Sequence, residues 1–205
     1  MNERYFKKVY SHCDFYRALV AVVRSLQYLK LNRPTKLVSP LFQERIMLAV
    51  TEVNGCAACS FAHTRFALEE GMTTEEINAL LSGDTGNIPE GEVIGVIFAQ
   101  HYADQKGKVS QEAWHRLVDE YSEDKAHVIL AFIRMITVGN IYGMAISAIA
   151  DRFRGKHTGK TSLLYEISTI FSVLLYAPVA IIHGLIDNLR KKSIYPFKFQ
   201  GKLTC

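Results

Sequence analysis

Apolar–polar alternation bounded by turn residues, the mark of a half-buried strand, is scarce along this chain, which leaves an all-α fold as the reading. Cysteine is sparse too. Four in 205 residues do not make a disulfide scaffold, so any thiol chemistry must be local. No stripe of Arg and Lys with interleaved aromatics occurs, and the net charge is only +4, which argues against nucleic acid as a partner. The opening MNERYFKKVY is charged, with no short apolar core behind it, and so does not resemble a secretory leader. A dithiol in such a chain points to the reducing cytoplasm, with membrane association as the alternative. There are no internal repeats or low-complexity tracts.

What the chain does have is concentrated in Thr51 to Glu70, TEVNGCAACSFAHTRFALEE, where Cys56, Cys59 and His63 fall within eight residues. Asn54-Gly55 breaks the preceding apolar run, so a new helix is expected near Cys56. At about 100° per residue, Cys59 and His63 then share one face, and Cys56 nearly eclipses His63. The unpartnered N–H groups of a helix start favour a thiolate, and an imidazole one turn on can exchange its proton. A carboxylate such as Glu44, one helix upstream, could orient or charge that imidazole. Two other readings stand beside the redox dithiol. Cys-x-x-Cys-x-x-x-His can be part of a zinc site, although Cys13 and Cys205 are too distant in sequence to supply an obvious fourth ligand. The pair could also be two buried structural cysteines.

The pattern Glu-x11-Cys-x-x-Cys-x-x-x-His, here Glu44, Cys56, Cys59 and His63, resembles the alkylhydroperoxidase D-like branch of the carboxymuconolactone decarboxylase superfamily. The likeness is close from Leu41 to Leu81, with a weaker echo in TVGNIYG at Thr137 to Gly143. The resemblance implies an all-helical, homo-oligomeric protein that reduces peroxides through its thiols, with no metal, flavin or haem. Position by position it implies that Cys59 attacks the peroxide, Cys56 resolves the product, and His63 with Glu44 relays protons. The reductant would be a thioredoxin-like or lipoyl-bearing protein. One departure is Ala58, where some peroxidase relatives carry a second histidine. Relatives that open or decarboxylate lactones generally lack the Cys-x-x-Cys pair. The competing function is a non-enzymatic, redox-responsive or structural helical protein, possibly held at a membrane.

The remaining punctuation sets out the other helices. Glu3 to Leu31 reads as one amphipathic helix or two broken ones, with Lys7, Lys8, Arg17, Arg24 and Lys30 as a solvated face and Cys13 as a bystander. Pro40 suits a helix start, Gly71 a helix end, and Thr73-x-x-Glu76 a capping box. Glu52 is the second acid of the segment that holds Glu44, and only the spacing favours Glu44 over it. Helices are expected from Glu90 to Gln105, from Ser110, and from Ala126 to Ala150, where Gly139 and Gly143 allow either a close contact or a bend.

The expected organisation is an alkylhydroperoxidase D-like multi-helix domain over 1–155 and a C-terminal extension with a long apolar helix over 156–205. Within 163–186, the run from Ile167 to Ile186 holds no Asp, Glu, Lys or Arg and is long enough to cross a bilayer. Arg190, Lys191 and Lys192 follow it like a cytoplasmic flank. Against crossing stand Glu166, Ser168, Thr169, Ser172, His183 and the mid-segment Pro178, and a helix buried within an oligomer would look similar. The tail from Ser193 to Cys205 is expected to be loosely ordered.

Overall fold

The computed structural model describes residues 6–156 and 159–194. Cys205 and most of the tail lie outside those residues. Within them the chain forms eight α-helices and no strand: α1 (His12–Thr35), α2 (Pro40–Asn54), α3 (Ala57–Glu69), α4 (Thr74–Leu81), α5 (Glu90–Asp104), α6 (Gln111–Glu120), α7 (Glu123–Phe153) and α8 (Leu163–Leu189).

Hydroxyl caps set most of the starts. Ser11, Ser39, Thr73, Ser110, Ser122 and Ser162 each accept a first-turn backbone N–H, and Ser11 and Thr73 complete capping boxes with Asp14 and Glu76. Pro40 takes the first turn of α2, where its missing N–H costs nothing. Residues 6–10 are not helical, so the first helix starts later than its periodicity suggests and then runs unbroken to Thr35.

The core is built around α2 and α7. Ile46, Leu48, Ala49 and Val50 of α2 and Val128, Ile129, Leu130 and Ile133 of α7 are fully enclosed. Helices α3, α4 and α5 pack on α2, and α7 backs α2, α3 and α5. On its other side α7 meets α1 and α8, and α1 lies against both. Helix α7 stays helical through Gly139 and Gly143, so the glycines do not end or break it.

The expected solvated basic face is corrected at Arg24, which is buried. Its Nη2 donates to the carbonyls of Lys192 and Ser193 at 2.7 and 2.8 Å. Arg134 of α7, also buried, donates to Ser25 Oγ and to the Ile194 carbonyl, each at 2.8 Å. Two guanidinium groups therefore fasten the backbone just beyond α8 to the core.

Candidate active site

The turn between α2 and α3 places the thiols. Gly55 ends α2 in the left-handed conformation (φ +75°), and its N–H closes on the Thr51 carbonyl at 2.8 Å. A β-carbon there would meet the backbone nitrogens of Lys7 and Phe6 at 2.7 and 2.8 Å. The N-terminal strap lies that close because Phe6 N–H donates to the Gly55 carbonyl at 2.7 Å and Tyr10 Oη donates to Asn54 Oδ1 at 2.6 Å. Burial, the first cause, pushes the Tyr10 phenol far above its ordinary pKa, so it stays a donor.

Cys56 follows in an extended conformation and serves as the N-cap of α3, with its Sγ accepting the Cys59 N–H at 3.3 Å. The helix therefore starts one residue later than Cys56. The thiol of Cys56 lies across the end of the helix, in the place a serine hydroxyl takes in the other caps. A negative charge on this sulfur would be stabilised by unpartnered N–H groups. Cys56 and Cys59 are paired as a disulfide with their Cα atoms 5.3 Å apart. They differ in access: Cys56 is 0% exposed and Cys59 9%.

Four residues beyond Cys59 on α3, the His63 ring reaches α2. Its Nδ1 lies 2.7 Å from Glu44 Oε2, with the Glu44 side chain 6% exposed and that of His63 17%. Two of the expected contacts are thus present, Glu44 with His63 and Cys56 with Cys59, and α3 carries His63 one turn beyond Cys59. Glu52 is engaged elsewhere, in an ion pair with Lys7. His101 and Cys13 lie on α5 and α1, helices that do not pack against α3.

A residue that the sequence reading did not assign completes the site. A β-carbon on Gly143 of α7 would lie 2.9 Å from Cys56 Sγ and 3.0 Å from Cys59 Sγ. The bare face of α7 at Gly143 is therefore the wall against which both sulfurs rest. Its neighbour Asn140, one turn earlier, is fully buried and accepts a hydrogen bond from Thr51 Oγ1 at 3.1 Å. The echo at Thr137 to Gly143 was the available signal, but the pairing of those residues with the thiols is a tertiary fact.

Among the described residues no group of three or more His, Cys, Asp or Glu side chains is arranged to hold a metal ion. The zinc reading therefore finds no ligand set there. The opposite face of α3, with Ser60, Phe61 and Thr64, opens onto a shallow groove against Ile77 of α4.

Residues 14–85, about a third of the chain, match the model of the Carboxymuconolactone decarboxylase family. The match runs from the first turn of α1 past the end of α4 and contains Glu44, Cys56, Cys59 and His63. Gly143 lies outside it. No curated protein matches the chain, and no solved structure does.

Proposed function

We propose that this chain, which matches the carboxymuconolactone decarboxylase family over residues 14–85, is a thiol-dependent oxidoreductase that reduces peroxides at Cys59. The observation that carries the reading is the Glu44–His63 hydrogen bond between α2 and α3, with the Cys-x-x-Cys pair at the start of α3.

The thiolate of Cys59, the more accessible sulfur, attacks the distal oxygen of the peroxide. The O–O bond breaks, Cys59 becomes a sulfenic acid, and the departing alkoxide or hydroxide takes a proton relayed through His63. Glu44 holds the imidazole by its Nδ1 and balances its charge when protonated. Cys56 then attacks the sulfenic sulfur, the disulfide forms and water leaves.

Regeneration uses the same asymmetry. A dithiol protein of the thioredoxin-like or lipoyl-bearing kind attacks the reachable Cys59 sulfur and expels Cys56 as thiolate. The helix end that Cys56 caps makes it the better leaving group. Two thiols of the donor are oxidised, and both cysteines return to the reduced state. Ala58 leaves His63 as the one imidazole on α3.

The test is peroxide consumption by purified protein supplied with several dithiol donors. Cys59→Ser should abolish turnover, whereas Cys56→Ser should give one stoichiometric reaction and then stop. Equal consumption by wild type and both variants would remove the reading. The second reading, a redox-responsive protein without turnover, draws on the near-complete burial of both sulfurs. It predicts a dithiol that reacts with donors but consumes no peroxide.

A further inference from the structure

Helix α8 is turned inside out relative to a core helix. Its polar and charged side chains face inward: Glu166, Thr169 and Asp187 are buried, Ser168 meets His12, and His183 meets Tyr16. Thirteen residues of Leu163–Leu189 are exposed, and every one is apolar. Leu164, Leu174 and Leu189 are 78%, 73% and 83% exposed. At about 100° per residue they cover an arc of roughly 160°, running some 40 Å along the helix. The apolar area is on the order of 1,000 Å², above the largest patch usual on a soluble monomer.

The charge around this face favours one occupant. At its start stand Arg154 and Lys156, and at its end Arg190 and Lys191, all exposed. The acids nearby, Asp14, Asp151 and Glu166 at the start and Asp187 at the end, are outnumbered by Arg152, Arg154, Lys156 and Lys160 and by Arg190, Lys191 and Lys192. Both ends therefore carry a positive surplus. A second copy laid on this face would bring positive against positive, whether the two helices ran parallel or antiparallel. An anionic lipid surface meets both ends with the opposite sign and takes up the apolar arc between them.

The inner face of α8 is packed on α1 and α7, which carry the rest of the domain. A crossing orientation would pull those helices and their charges into hydrocarbon. We infer that α8 lies flat in the headgroup region of an anionic membrane, its apolar arc in the acyl boundary and its basic ends on lipid phosphates. This membrane contact is independent of the thiol chemistry.

Flotation of the full-length protein tests it, using phosphatidylcholine vesicles with and without phosphatidylglycerol at low salt. The protein should rise with the anionic vesicles and much less with the neutral ones. Replacing Arg190 and Lys191 together by Glu should weaken anionic-vesicle binding roughly tenfold or more. Leu174→Glu, at an exposed position that leaves the packed face intact, should abolish flotation while circular dichroism stays unchanged. Absence of flotation with either vesicle overturns the inference. So does a lipid-free dimer in sedimentation that Leu174→Glu dissociates, which would assign the face to a second copy.

Discussion

Gly143 of α7 and Cys56 at the start of α3 approach so closely that one added carbon would sit 2.9 Å from the sulfur. The obstacle beyond it is the second sulfur at 3.0 Å, and both belong to a fixed helix end, so neither can give way cheaply. Gly143→Ala should therefore destabilise the oxidised protein by about 1–3 kcal/mol, the usual range for overpacking. It should also shift the dithiol–disulfide equilibrium. Denaturant melts of oxidised and reduced protein, with a redox titration, measure both. An unchanged titration would mean that the sulfurs are not seated against α7.

Glu44 and Glu52 provide a matched pair. They share α2, but one holds His63 and the other Lys7. Glu44→Gln should slow peroxide turnover by about tenfold or more, since general acid–base groups contribute about 10²–10⁴-fold. Glu52→Gln should leave the rate near wild type. Steady-state kinetics across pH distinguish the two, and equal effects would contradict the assigned proton relay.

His127 should make stability depend on pH. Its ring stacks on Tyr28 at 4.4 Å and meets Trp114 edge-on at 5.0 Å, while Nδ1–H donates to the Glu123 carbonyl at 2.8 Å. Burial, the leading cause, holds the imidazole below the usual histidine range. The unfolded chain therefore takes up the proton first as pH falls through about 6.5. Stability is lost on acidification from that point down to the depressed native value. Urea midpoints should drop between about pH 7.5 and about pH 5.5, and His127→Phe should remove that part of the slope.

Glu166 anchors the start of α8. It is 1% exposed and receives Arg152 Nε at 2.7 Å, Arg152 Nη2 at 2.9 Å and Thr161 Oγ1 at 2.7 Å. Pairing with this carboxylate raises the Arg152 pKa. Glu166→Gln keeps the shape but removes the charge and one acceptor. Thermal melts should show a fall of several degrees, a larger loss than for Glu69→Gln, whose partner Arg65 sits on an exposed surface.

Much of the architecture was written in local signals. Ser and Thr caps, Pro40 and Gly55 act within a few residues, so the start of α2 and the starts of α4 and α6 were legible to within a residue or so, while α5 was legible from its apolar periodicity. The gathering of Glu44 with His63 was legible because one short turn joins their helices. Three things were not. That Cys56 would cap rather than enter α3 depends on the backbone of a single residue. The burial of Arg24 depends on carbonyls 168 and 169 residues away. The contact of Gly143 with the sulfurs depends on how α7 crosses α3, which no periodicity encodes. The apolar run in α8 was plain in the sequence, but its inward-turned polar side became visible only once α1 and α7 were seen against it.

The two guanidinium groups that grip residues 192–194 bear on how the molecule can be cut. A version stopping at the end of α8 would leave both cations sequestered with carbonyl acceptors removed, and one limited to 14–85 would strip α1 of its neighbours on two sides. The stretch that carries the chemistry packs on α5 and α7, which lie outside it. Helices α1 and α7 are braced by a short length of backbone past α8, more than a hundred residues downstream of that stretch, and a shortened chain should lose part of that support.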